Sequence, residues 1–228
     1  MKEITFTNVL GWDFFPPKPA VKEVPKWYKN TQEYVNDNIK KVNKEGKPTQ
    51  TIKKCVPVFD AMTSGYILYT QVDVQVSIED GLPYYAWSDQ AVIGFHPIDQ
   101  APLHPAKNEA PYPKWQNPYA ISTPPGYSVL FTQPMHRESV FTILDGIVDT
   151  DKYKTTVNFP FVLNDTKWEG IIPAGTPMVQ VIPFKRESWK HKIGSEKEVK
   201  EQEKISRKLR TLFFNSYKQQ FWSRKEYR

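Results

Sequence analysis

The chain has 228 residues, 39% of them hydrophobic and 14% aromatic, with 20 prolines against 10 glycines and a formal net charge of +6 at pH 7. Its lone cysteine, Cys55, excludes a disulfide within the chain, and no apolar run approaches the ~20 residues that a bilayer-spanning helix needs. So much proline also disfavours a helical bundle and favours a β fold with long connections, because proline fits neither helix interiors nor central strands.

Taken in order, the N-terminal ten residues alternate, with Ile4, Phe6 and Val9 on one side of a short first strand. Trp12 to Pro19 must be extended, since its prolines forbid helix. Val24-Pro25-Lys26-Trp27-Tyr28 opens a short helix with Pro25 near its first position. Residues 36–50 form a polar, lysine-rich loop. Strands are expected at Val56–Phe59 and Tyr66–Thr70. Val72, Val74, Val76 and Ile78 alternate with polar residues, which describes a strand with one buried face. Asp80-Gly81 marks a turn, and Tyr84–Ser88 with Gln90–Gly94 suggests a further hairpin. Residues 96–125 hold eight prolines and two histidines and read as a long loop, of a length often tied to function.

Further strands are expected at Tyr127–Phe131, Ser139–Ile143, Thr155–Phe161 and Met178–Phe184, the last entered through the turn Ile172–Pro177. Ser195-Glu196-Lys197-Glu198 is a capping box. It opens a helix with Val199, Gln202, Ile205, Leu209, Leu212 and Phe213 on one face. The organisation expected is an extended arm over 1–49, a mainly antiparallel β domain over 50–194, and a basic amphipathic helix with its tail over 195–228. From Ser195 onward there are ten Lys/Arg against five Asp/Glu, so nearly all the net charge belongs to that last segment. The body therefore carries no basic surface that would by itself imply nucleic acid. The N-terminus has no apolar stretch of leader length before Asp13, so synthesis in a reducing host cytoplasm is expected.

Several constellations could carry chemistry. Asp145, Asp149 and Asp151 cluster in one turn, where carboxylates serve either a hard cation or the backbone of a β-turn. His96, Asp99 and His104 have the composition of a two-histidine, one-carboxylate metal site, but both histidines precede prolines in a loop. Cys55 follows Lys53 and Lys54, which could activate a thiol; a structural cysteine is the simpler reading. Trp12, Phe14, Phe15, Trp27 and Tyr28 make an aromatic arm suited to pinning along a protein surface. Lys204, Arg207, Lys208 and Arg210 give the C-terminal helix its basic side, and the chain closes on an aromatic and basic tail with Phe221 and Trp222. No phosphate-binding P-loop, dinucleotide fingerprint, nucleophile elbow or zinc pattern is present, and no cofactor or metal is expected.

The segments VPKWYK, CVPVFDAMTSGYIL and the stretch 123–189 resemble a family of proteins encoded by tailed phages and some bacteria, to which no activity is attached. A more distant pattern lies within 123–186. Pro-Gly-Tyr at 125–127, Gly146-Ile147-Val148-Asp149 and Gly175-Thr176-Pro177-Met178-Val179-Gln180 are similar to dUTPases and dCTP deaminases. That resemblance implies a β-clip fold, usual trimeric assembly, an Asp149 that orients water, and an aromatic at Tyr153 under a deoxyribose. It marks Asp149, Asp151, Tyr153, Gln180 and Arg137 as the ligand-binding candidates. The pattern also departs from those enzymes. Arg137-Glu138-Ser139 puts a carboxylate where a phosphate-binding Arg-Ser-Gly would stand, and a lysine-rich helix replaces the glycine-rich closing arm.

The reading is therefore a phage structural or interaction protein, a virion component or subunit of a homo-oligomer, leaning away from enzymatic activity. The alternative is a nucleotide-binding enzyme or a degenerate relative of one. Partner contacts are expected at Trp12, Phe14, Phe15, Trp27, Leu209, Phe213, Phe221 and Trp222, with protein favoured over nucleic acid as the partner and no membrane expected.

Overall fold

The computed structural model describes residues 2–11, 15–35, 49–88, 91–100, 111–211 and 216–228. Trp12, Phe14, His104 and Phe213 lie outside the described residues. The chain divides into two compact units. The first comprises Met1–Glu23, Gly65–Arg186 and Tyr227; the second comprises Val24–Ser64, Glu187–Glu226 and Arg228.

The first unit is an antiparallel β structure. In chain order its strands are β1 (Thr5–Asn8), β2 (Lys18–Pro19), β3 (Tyr66–Tyr69), β4 (Val74–Glu79), β5 (Leu82–Trp87), β6 (Ile93–His96) and β7 (Tyr112–Trp115). There follow β8 (Tyr119–Ser122), β9 (Tyr127–Thr132), β10 (Phe141–Ile143), β11 (Gly146–Val148), β12 (Phe159–Leu163), β13 (Gly170–Ile172) and β14 (Pro177–Lys185). Every pairing among them is antiparallel, in sheets ordered β1-β8, β10-β12-β7-β6, β11-β9-β14-β3-β2 and β13-β4-β5. The mainly antiparallel β class expected from the sequence is what the chain adopts.

Alternation explains the core. Along β12, Phe159, Phe161 and Leu163 point inward while Pro160 and Val162 are half-buried. Phe161 stacks on Trp115 at 4.7 Å between centroids, meets Phe141 at 5.4 Å, and takes the edge of Tyr85 at 5.8 Å. These rings join Val129, Phe131, Val179 and Val181 in one continuous cluster. β14 is the longest strand, and Met178 through Val181 are buried because β3 flanks its first half and β9 its second. Between β4 and β5, Asp80 and Gly81 both take positive φ, 50° and 79°, the geometry of a two-residue hairpin turn.

Three local expectations are corrected. Val56–Phe59 is not a strand but the start of a helix, because Pro57 sits in its first turn, where a missing N–H costs nothing. Tyr84–Ser88 does not pair with Gln90–Gly94: β5 pairs with β4, and β6 pairs with β7. The supposed loop 96–125 contains β7 and β8, with Trp115 and Ile121 fully buried. Pro113 is tolerated there because β12 reaches β7 only at Lys114 and Trp115, so Pro113 has a strand on one side alone.

The second unit holds the helices α1 (Lys26–Asn30), α2 (Val56–Thr63), α3 (Glu196–Thr211) and α4 (Ser216–Gln220). The Glu198 half of the capping box forms: Ser195 donates both its hydroxyl and its backbone N–H, the latter at 2.9 Å, to the Glu198 carboxylate. Those bonds, with Lys192 at 3.1 Å, hold the Glu198 carboxyl down at about 2. Among the described residues, no helix is long and apolar enough to cross a membrane.

Candidate functional site

The antiparallel registers bring three chain segments to one point. Val148 lies opposite Val129 and Lys185 opposite Tyr127, so the end of β11, the start of β9 and the end of β14 converge. The approach to β9 is a tight turn, closed by Tyr127 N–H donating to Pro124 C=O at 3.2 Å, with Gly126 at φ +84°. The turn after β11 is held by its own backbone: Lys152 and Tyr153 N–H both donate to Asp149 C=O, at 2.9 and 2.8 Å. Beneath it, the Thr123 and Thr150 hydroxyls share a buried 2.7 Å hydrogen bond.

Arg186 occupies the centre. Its guanidinium donates to both carboxylate oxygens of Asp151, with Nη1 at 2.8 Å from Oδ1. Nη1 also lies 3.2 Å from Asp149 Oδ1, 3.0 Å from Tyr127 C=O and 3.1 Å from Ser128 Oγ. The Ser128 hydroxyl donates to Asp149 Oδ1 at 2.6 Å, and Gly126 N–H donates to Asp151 Oδ2 at 2.8 Å. Arg186 N–H in turn donates to Gly126 C=O at 2.8 Å, which locks the end of β14 to the turn.

Asp151 is thus a nearly buried carboxylate, its side chain 8% exposed, fully occupied by donors. The Arg186 guanidinium and the Gly126 N–H hold its carboxyl well below the usual carboxylate range. Asp149 is held below its ordinary value by the Ser128 hydroxyl and by Arg186. The two carboxylates in turn raise Arg186 above the usual arginine value.

The sign of the pH dependence follows. Groups with depressed folded values contribute stability above their unfolded values and lose it as pH falls through the folded ones. Arg186→Gln is therefore expected to lower the Tm at pH 7, by leaving Asp151 without its charged partner. The gap from the wild type should persist down to about pH 4, the ordinary carboxylate value, and close only below it. Thermal melts across a pH series check this. A gap that is unchanged at pH 2 would show that the clasp does not act through these carboxylates.

The other candidates stand apart from this cluster. Arg137 is half-buried, and Nη1 donates to Glu23 C=O. Burial pushes its guanidinium below the usual arginine value, against the opposing pull of Glu23 and Tyr69. Gln180 is completely buried in β14, its Oε1 accepting Met135 N–H at 3.0 Å. Tyr153 lies on the surface, 54% exposed. Asp145 accepts Gln133 N–H at 3.3 Å, which attaches it to the far end of β9. Among the described residues, no three His, Cys, Asp or Glu side chains converge to hold a metal ion. His96 is lowered by burial and by Lys114. Cys55 is half-buried at the N-terminus of α2.

No protein-family model matches the sequence, and no curated protein does. Solved structures of dUTPases do match, at low similarity. The native EIAV dUTPase is 14% identical with a TM-score of 0.34, the match covering 58% of this chain and 84% of that one. A mutant dUTPase from phage phi11 of S. aureus is also 14% identical with a TM-score of 0.33, covering 59% and 85%. A Staphylococcus bacteriophage 80alpha dUTPase mutant with dUpNHpp is 12% identical at 0.32, covering 57% and 75%. Likeness at this level transfers no role to any residue here.

Arg186 is the residue that sequence reading missed. The signal was present: once β9 and β14 are paired, the residue after Lys185 must lie beside Gly126. Of the partner-contact candidates, Phe15 is 41% exposed and Trp27 37%. Phe221 is similarly open, Leu209 is half-buried, and the Trp222 indole N–H donates to both Asp60 oxygens at 3.1 and 2.9 Å.

Proposed function

We propose that this chain is a non-enzymatic interaction protein of a tailed phage, a virion component or a subunit of a homo-oligomer, working through protein contacts. The observation that carries this reading is the closed clasp. The aspartates at the position where a dUTPase-like motif would address its substrate are bound instead by Arg186, Ser128 and Gly126. An arginine clamped by two carboxylates of its own chain is poorly placed to receive phosphate, and Arg137 is turned to the Glu23 carbonyl. Exposed apolar side chains support a role in contacts. Trp189 and Ile193, in the segment that follows β14, are 87% and 89% exposed, and Ile147 and Ile171 are more than half exposed. The phage setting rests on the resemblance of 123–189 to phage-encoded proteins.

A second reading, a nucleotide hydrolase or deaminase, keeps one support: Asp149 retains 48% side-chain exposure and is ionised at neutral pH. Incubating the protein with each deoxynucleoside triphosphate and magnesium separates the two. The expected result is no turnover, with assembly beyond the monomer in light scattering and the protein present in purified virions by mass spectrometry. Turnover that Asp149→Asn abolishes would establish the hydrolase.

A further inference from the structure

The second unit contains a cavity of about 590 Å³, within the size range of small-molecule sites. The aromatic residues Tyr28, Phe59 and Trp222 line it, together with the lysines Lys29, Lys53 and Lys218. Tyr28 is 4% exposed and forms the floor, 6.0 Å from Phe59 between ring centroids. The floor is tied down: Tyr28 Oη donates to Lys53 C=O at 3.1 Å, and Lys53 Nζ donates back to Tyr28 C=O at 2.6 Å and to Lys29 C=O at 3.2 Å. The same ammonium lies 4.5 Å from the centre of the Tyr28 ring. Opposite, Asp60 accepts the Trp222 indole N–H and also takes Lys225 Nζ, which fixes the Trp222 ring. Lys218 Nζ lies 5.7 Å from the centre of that ring.

The charges do not balance. The lining carries four lysines and one glutamate. Glu33 is taken by Lys54 at 3.0 Å, and the Asp60 carboxylate is occupied by Trp222 and Lys225. Lys29, Lys53 and Lys218 have no carboxylate partner among the described residues. Three ammonium groups without a carboxylate partner among the described residues, set beside aromatic walls, attract a ligand that is both flat and multiply anionic. Rings accept the flat part without regard to its substituents. A doubly charged phosphate meets three ammonium groups better than a single carboxylate does.

We propose that this cavity binds a small aromatic phosphate, its ring against Phe59 and Trp222 and its phosphate among Lys29, Lys53 and Lys218. Adenosine 5′-monophosphate is a suitable probe, titrated calorimetrically into the full-length protein at low ionic strength, with adenosine and inorganic phosphate as controls. The expected result is saturable binding of the monophosphate, with each control at least about tenfold weaker. The double variant Lys29→Glu, Lys218→Glu alters two exposed side chains that, among the described residues, hold no side-chain contact beyond the Trp222 ring. It should raise Kd by roughly tenfold or more, with an unchanged circular dichroism spectrum. Affinity should also fall as salt rises. Absence of monophosphate binding to the wild type would overturn the proposal, and so would a Kd unaffected by the charge reversals. Inorganic phosphate binding as tightly as the monophosphate would remove the ring from it, leaving an adventitious anion site.

Discussion

Gly65→Ala is expected to unfold the β unit or leave it only partly populated at 37 °C. Gly65 sits at φ +73°, directly before β3, and a Cβ built on it would lie 1.9 Å from the Val181 carbonyl oxygen and 2.8 Å from its carbon. The left-handed backbone alone costs a non-glycine residue about 1–2 kcal/mol. The clash adds to that, because the atom encountered is main chain in β14 and cannot rotate away. Relief requires β3 and β14 to separate, which would open the register from Pro177↔Tyr69 to Val181↔Tyr66. The Gly65 carbonyl also accepts Ala20 N–H at 2.9 Å, so a shift would strain the β2 side as well. Urea denaturation of wild type and variant measures the effect; a midpoint within error of the wild type would mean that β14 does not pack so closely on Gly65.

Phe161→Ala should cost about 3–5 kcal/mol, the usual range for a fully buried aromatic. Phe161 has no exposed surface and touches the rings of Trp115, Phe141 and Tyr85, which come from three other strands. Truncation would remove a stacked partner from Trp115 and leave a void that strands bonded to their neighbours cannot easily close. Against a net stability of roughly 5–15 kcal/mol for an ordinary domain, that loss is large. Phe161→Leu, which refills most of the volume, should recover more than half of it in the same denaturation experiment.

Much of the β unit was legible because its strands alternate. Val74 and Val76 point to the core from β4, and Asp80-Gly81 has the turn chemistry its hairpin needs. Reading failed where one signal admitted two structures. Val56-Pro57-Val58-Phe59 is an apolar run that suits a strand, but proline near a helix start is equally favourable, and tertiary packing decided for helix. Residues 112–122 looked like loop because prolines break strands; the sheet accommodates Pro113 where the pairing of β7 with β12 has already ended. The aspartates of the clasp were found from their spacing in one short segment. Arg186 was not, since it enters through a strand pairing that no local window contains.

β14 also sets the order in which this chain can fold. Its partners β3 and β9 lie about 110 and 50 residues earlier in the sequence, and residues 177–181 bond to one while 180–185 bond to the other. The short hairpin β4–β5 can close first, since a small loop loses little entropy. Until residue 185 has left the ribosome, β3 and β9 each present an unpaired edge toward the place β14 will fill. A nascent chain in that state resembles an open zipper, slow to close because of its high contact order and prone to accept strands from its neighbours. The last strand of the β unit is therefore also its guard against aggregation during synthesis.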